Sequence, residues 1–510
     1  MFRHLLINTI ASAAAYGAVS IVGFLLVPVL VGHYGLKEFG FIVLARLFLP
    51  TGVLILFDFG FSEIASQSVA RARETRDWDG AAADLQILFA MALVVSAALA
   101  LCLIAGAAPL ARLFAAGEGP FAAILRATGV ALPPLFLAAI LEGVVKGYAA
   151  FRSLRLIEVA CTCVYGLAAL LLASNGHPYA SVAYAFLATT ILRGALVAAN
   201  AVRAGFGRQL RLRAAWDRRA LRRILPRCTS MAQNRLIGAV QGPGQQPLIG
   251  LLVGPAGVAM VEVLTKLPRF AKAVIGLLGS ALIPVAARLD AREDPARVQT
   301  LASWGMLLSA VAALPPLAGA ALFSEPLLYL WTGPTFAALW YWHALMFALP
   351  MATALAGFGT TALIVRPHAL YKFNAIGALQ LAGQLALAVA LLGRLQERAF
   401  LFAQALAVLA ALVFTLRLLM REHRLAAGLL WRMGLILGLG VALLLAALLV
   451  GDPRAIRGWT SLASAYLVWC LVYWLAVWYL VLKRCERERL QGMLASLLLP
   501  VLARRSLRTP

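Results

Sequence analysis

The feature that most constrains this chain is a succession of long stretches almost without charge. Fourteen of them lie at roughly 6–31, 38–62, 82–107, 121–146, 157–174, 180–202, 228–253, 256–287, 301–323, 336–364, 373–393, 399–419, 429–450 and 459–482. A helix rises about 1.5 Å per residue, so about 20 apolar residues match a hydrocarbon core about 30 Å thick. Each stretch therefore reads as a spanning helix, and the expected fold is an all-α polytopic membrane protein with about 14 transmembrane helices. Composition agrees: 63% of the 510 residues are hydrophobic and 13% charged, and mean hydropathy is +0.88. The first run resembles a signal peptide at Met1-Phe2-Arg3-His4 and at Ala11-Ser12-Ala13. It continues to Val31, beyond an apolar region of about 7–15 residues, and is expected to be an uncleaved span.

A net charge of +24 invites a nucleic-acid reading, so the placement of the 45 Lys and Arg decides the matter. About 32 fall in one alternating set of loops and flanks, about 6 in the other (Lys37, Arg112, Arg394, Arg398, Arg454, Arg457), and about 7 within spans. That asymmetry is the positive-inside pattern and puts both termini in the cytoplasm. The basic charge then reports topology and attraction to anionic lipid, and no nucleic-acid partner is expected. The segment from Arg203 to Arg227 is the densest basic stretch, and it reads as a surface helix with Trp216 at the headgroups. Cys161 and Cys163 stand about 200° apart on a helix, and the six histidines are scattered, so no metal or cofactor site is expected.

Short matches recur at one spacing. Pro109-Leu110 in P-L-A-R-L-F pairs with Pro326-Leu327 in P-L-L-Y-L-W, Ala131-Leu132-Pro133 with Ala348-Leu349-Pro350, and Ala70–Asp77 with Ala287–Asp294, all at an offset of 217. The alternative is chance similarity among apolar low-complexity runs. A duplicated six-helix unit accounts for several matches at once, and an even number of spans relates the copies by an axis along the membrane normal. The expected organisation is an N-terminal lobe at 1–205, a basic cytoplasmic linker at 206–227 and a C-terminal lobe at 228–420. Two additional spans at 421–482 and a basic cytoplasmic tail at 483–510 follow.

The stretch V-E-V-L-T-K-L-P-R-F-A-K-A-V, Val261 to Val274, places charge where lipid would be. On a helix Glu262, Lys266 and Arg269 share one face, with Lys272 at its edge. Arg46, Arg126, Arg193 and Arg235 also lie within spans. A cation at mid-bilayer costs about 2.5–3.5 kcal/mol, so seven facing lipid would approach 20 kcal/mol, more than the roughly 5–15 kcal/mol a folded domain has to spare. These cations therefore face water, a counter-ion or a cavity. Arg126 and Arg193 stand near helix ends, where snorkelling is the alternative. Gly242-Pro243-Gly244 and Pro247 are expected to break the seventh span at mid-membrane, which is tolerated beside a cavity. Arg46, Arg235, Lys266, Arg269 and Lys272 thus become candidate substrate-binding cations of a hydrated lumen. Asp58, Glu63 and Glu262 are candidate ion-coupling groups or charge partners. Glu142 and Lys146 read as an i,i+4 pair. The excess of cations suits a phosphate or pyrophosphate head and suits an organic cation poorly.

L-L-V-P-V-L-V-G-H-Y-G-L-K-E-F-G-F-I-V-L-A (25–45), I-L-F-D-F-G-F-S-E-I-A-S-Q-S-V-A-R (55–71), P-L-I-G-L-L-V-G-P-A-G-V-A-M-V (247–261) and L-F-S-E-P-L-L-Y-L-W-T-G-P-T-F-A-A (322–338) resemble the polysaccharide transporter (Wzx-type) flippases. That family sits in the multidrug/oligosaccharidyl-lipid/polysaccharide exporter superfamily. The resemblance implies two six-helix lobes around a lumen with a lateral opening. It implies translocation of a polyprenyl-pyrophosphate-linked oligosaccharide across the bacterial inner membrane for O-antigen or exopolysaccharide synthesis. The partners it implies are that lipid-linked glycan, membrane lipid, and polysaccharide polymerase or export machinery. Many relatives carry an Asp-Arg pair where this chain has Gln245-Gln246, so the pair's role does not transfer. No P-loop is present, so coupling to ATP is not expected. The alternatives are a lipid II-type flippase, a drug or cation antiporter of the same fold, and a glycan polymerase or ligase. A polymerase would be an enzyme with a sizeable outer loop, and the sequence offers only short ones; no enzyme is expected.

Overall fold

The computed structural model describes residues 2–50, 52–115, 119–207, 218–241, 244–280, 295–363, 367–488 and 490–491. Among them the chain is helical, with no strand. Among the described residues eleven helices are long and apolar enough to cross a membrane, and this is a multi-pass membrane protein. The other three expected spans are broken or charged. The expected 38–62 span ends at Leu47, at the close of α1 (Phe2–Leu47), followed by a short 3-10 helix (Val53–Phe57) and then α2 (Phe61–Thr75). The expected 228–253 span is divided between α7 (Arg218–Gln241) and α8 (Gln245–Leu252). The third is α9 (Pro255–Ser280), which carries the four-charge stripe.

Within α1 the backbone kinks at Gly35, where φ is 73°, a conformation that glycine adopts without a Cβ penalty. The segment between the second and third expected spans, 63–81, is largely α2. Ile64, Ala65, Ser68, Val69 and Ala72 are buried along one side of it, while Arg71, Arg73 and Glu74 are exposed. That is the stripe of an amphipathic helix. The expected linker is likewise helical from Arg218 onward, and its residues 208–217 lie outside the described residues.

The helices group in two compact units, 1–270 with 370–411 and 271–369 with 412–510. In the first, α1 packs on α5 (Phe151–Ser174) and α6 (Tyr179–Ala204). Beside them α3 (Trp78–Ala115) packs on α4 (Gly119–Gly147), and α4 packs on α2 and α6. Phe41, Phe121 and Tyr179 form the aromatic centre, with Phe41 5.4 Å from Phe121 and 5.5 Å from Tyr179. Gly40 lets α1 meet the start of α9, since a Cβ there would stand 2.0 Å from the Pro255 carbonyl oxygen. Buried Asp84 of α3 ties three helices. It accepts from Ser68 of α2 at 2.8 Å and from Arg223 Nε of α7 at 3.1 Å.

In the second unit α10 (Pro295–Leu322) packs on α14 (Ala348–Leu363) and on a hairpin of α17 (Ala427–Val450) and α18 (Trp459–Leu480). Between α10 and α14 run three short helices: α11 (Ser324–Thr332), α12 (Pro334–Ala337) and α13 (Trp340–Met346). Most of the remaining two helices, α15 (Pro367–Leu395) and α16 (Arg398–Glu422), belongs to the first unit. Pro315 and Pro316 lie inside α10 and supply no amide N–H, so Pro315 leaves the Val311 carbonyl without its helical donor. The Trp474 indole of α18 donates to that oxygen at 3.0 Å. Trp469 donates to the Pro315 carbonyl and Tyr466 to that of Pro316, each at 3.1 Å.

Candidate functional site

The charged stripe of α9 closes on one carboxylate. Glu262 accepts from Lys266 Nζ at 3.0 Å, from Arg269 Nη1 at 3.1 Å and from Gln246 Nε2 at 2.8 Å. Spacings of four and seven residues bring the two cations over the same turn face as the acid. Gln246 arrives from α8, whose first turn buries Gln245 and Gln246. Pro247 sits in that first turn, where its missing N–H costs no helical bond. Of the expected helix-break residues, Gly242 and Pro243 lie outside the described residues, and Gly244, just before α8, has helical angles.

The stripe opens on a cavity of about 590 Å³ in the first unit, walled by α1, α5, α6 and α9. Arg46, Arg193, Lys266 and Arg269 line it together with Glu158 and Glu262. The wall thus carries two more cations than carboxylates. Lys266 lies along α1 at Gly23, whose absent Cβ would be 3.7 Å from the ammonium. The Arg46 guanidinium lies over Phe186 at 4.5 Å and near Tyr165 at 6.0 Å. Among the described residues no carboxylate stands within salt-bridge distance of it, so its fork of donors is held by rings and not by an acid. Tyr16 stacks on Phe270 at 5.9 Å and 6°.

The remaining expected residues fall elsewhere. Lys272 is exposed and outside the cavity wall. The side chain of Arg235 lies outside the described residues. Asp58 accepts from the Phe61 N–H at 3.1 Å, and Glu63 stands in the first turn of α2, a helix end that favours negative charge. Neither lines the cavity. Glu142 does more than pair with Lys146 at 3.0 Å, because Arg193 also reaches it at 2.8 Å across from α6. Arg193, Glu158, Tyr165 and Phe186 are cavity residues that sequence reasoning did not assign. For Arg193 the signal existed, a cation inside a span. For the two rings none did, since aromatic residues recur throughout the spans. Among the described residues no group of three His, Cys, Asp or Glu could hold a metal ion.

The fold is that of the multidrug/oligosaccharidyl-lipid/polysaccharide exporter superfamily. The chain is similar to the lipid II flippase MurJ in an inward closed conformation, at 11% identity and TM-score 0.68, covering 92% of this chain and 99% of that one. It is similar to an inward-facing multidrug resistance MATE transporter at 14% identity and TM-score 0.63, covering 80% and 96%. A MATE transporter in the straight conformation aligns at 13% identity and TM-score 0.56, covering 82% and 96%. No curated protein sequence matches. The family model described as polysaccharide biosynthesis protein matches residues 35–340, and the chain belongs to that family.

Proposed function

We propose that this protein is a flippase carrying a polyprenyl-pyrophosphate-linked oligosaccharide from the cytoplasmic to the outer leaflet of the bacterial inner membrane. The product serves O-antigen or exopolysaccharide synthesis, and both chain termini are cytoplasmic. The observation that carries the reading is Arg46, a cation stacked on rings in a cavity already richer in cations than in acids. A pyrophosphate leaving water needs charged donors to replace its hydration. Arg46 supplies an open planar fork, and Lys266 and Arg269 add charge while sharing Glu262. The rings of Tyr165 and Phe186 keep the Arg46 guanidinium oriented. The polyprenyl tail stays in lipid, and the lobes 1–205 and 228–420 alternate access to the head. Polysaccharide-family membership supports a glycan precursor, and the cation excess argues against an organic-cation antiporter. The residues serve recognition and translocation, with no bond made or broken.

The test is transbilayer movement of a labelled polyprenyl-pyrophosphate oligosaccharide in proteoliposomes. The wild type is expected to move it, and Arg46→Gln to lose at least tenfold in rate while keeping its fold. Movement of lipid II alone would reassign the substrate. Inactivity toward every polyprenyl pyrophosphate, under an ion gradient or a potential, would overturn the flippase reading.

A further inference from the structure

The second unit carries a separate cationic cluster that the proposed transport does not use. The loop between α17 and α18 reads G-D-P-R-A-I-R-G, 451–458. The Asp452 carboxylate accepts from the Arg454 N–H at 3.0 Å and turns the loop back. Arg454 and Arg457 are thereby aimed at the same neighbours. The Arg454 guanidinium lies 4.6 Å over Trp340 of α13, and that of Arg457 lies 4.4 Å over Tyr329 of α11. Both share one acid, Glu325, at 3.5 and 3.8 Å. Two cations and one carboxylate leave a positive charge at a rim where the arginine side chains are 49% and 48% exposed.

The donor inventory is unequal. Arg457 Nη1 is committed to the Arg454 carbonyl at 2.5 Å, which fixes the pair as one body. Arg454 approaches Glu325 most closely through Nε, at 3.5 Å. The paired Nη groups of a guanidinium over an indole match a phosphate oxygen pair. Next to it the last turn of α17 is bare hydrocarbon, with Leu449 88% and Val450 91% exposed. Tyr341, next in sequence to Trp340, and Trp459, next to the loop, are exposed amphipathic rings, the residue types of a membrane–water boundary. An anion with an apolar body fits both halves of this surface; a free anion uses only one.

We propose that this end of the α17–α18 hairpin binds the phosphate of an anionic phospholipid headgroup, with its acyl chains against Leu449 and Val450. The stretch of α17 (Ala427–Val450) from Arg432 to Val450, about 27 Å of helix, separates it from the Arg432–Glu486 ion pair toward the other end. The site therefore reads the leaflet opposite to the one that holds the basic tail.

The test is lipid binding to the detergent-purified full chain by native mass spectrometry, with phosphatidylglycerol, phosphatidylcholine and inorganic phosphate as probes. The expected result is preference for phosphatidylglycerol that falls about tenfold in Arg454→Gln/Arg457→Gln and is unchanged in Arg112→Gln, which removes one charge from α3. Arg454→Lys/Arg457→Lys keeps the charge without the fork and is expected to fall between the two. It carries the test if the glutamine variant does not fold. Equal affinity in wild type and the lysine variant would overturn the fork's role. Equal loss in Arg112→Gln would overturn the site's location, and saturable inorganic phosphate binding that displaces the lipid would overturn the lipid assignment.

Discussion

Glu262→Gln is the substitution on which the cavity's electrostatics turn. Glu262 is only 14% exposed and holds Lys266 and Arg269 at 3.0 and 3.1 Å. At an effective dielectric constant of about 20, each contact is worth about 5 kcal/mol of direct attraction. Desolvation opposes most of it, and removing one member of a buried pair costs about 3–5 kcal/mol in other proteins. The cations here are 23% and 30% exposed, so water recovers part of the loss. The expected destabilisation is about 2–3 kcal/mol. Reversible unfolding in mixed micelles, run as a cycle with Lys266→Gln, isolates the pair. The coupling expected is about 1–2 kcal/mol, and a value below about 0.5 kcal/mol would refute the argument that this acid neutralises the stripe. In flux assays the same variant frees both cations, so binding of a phosphorylated head should tighten and release should slow.

Gly40→Ala should destabilise by about 3 kcal/mol or more, because its Cβ would meet the Pro255 carbonyl at 2.0 Å; Gly32→Ala, with nothing within 4 Å, should be neutral or stabilising in the same thermal melt. Burial pushes the Glu486 carboxyl up, but hydrogen bonds from Arg432 and from the Lys483 N–H outweigh it and hold the group below its ordinary 4.5. A lowered folded value means that its stabilisation is complete above pH 4.5 and is lost as pH falls through the folded value. Glu486→Gln should therefore flatten the acid side of the melting-temperature profile, and an unchanged profile would refute the pairing. Cys485 is exposed just beyond α18. In a single-cysteine variant an impermeant thiol reagent should label it in inverted vesicles and not in intact cells; the reverse would overturn the cytoplasmic tail.

The spans were legible because hydrocarbon admits little else. A run such as 429–450 has one reading, and the structure returns it as Ala427–Val450. The breaks were less legible. The end of α1 at Leu47 falls in L-F-L-P-T-G-V-L-I-L-F, an apolar run that continues beyond the helix end. Composition sees the apolar run and not the backbone leaving the helix. At the site, the α9 stripe followed from a local period of 3.6, so Glu262, Lys266 and Arg269 could be placed together without knowing the fold. Arg46 against Phe186 and Arg193 against Glu142 join residues 140 and 51 positions apart. No periodicity encodes such pairs, and only the packing of α1 on α6 and of α4 on α6 creates them.

The proline pair of α10 has a consequence for distance along the membrane normal. Trp474, Trp469 and Tyr466 are spaced along α18 so that each meets one carbonyl around the gap at Pro315-Pro316. A slide of even one residue, about 1.5 Å, would misalign all three donors, and the Val311 oxygen would face hydrocarbon with nothing to bond. The gap in one helix thus acts as an index mark for another. Because the 451–458 loop runs directly into α18 at Trp459, the same mark fixes where the loop that carries Arg454 and Arg457 joins the helix.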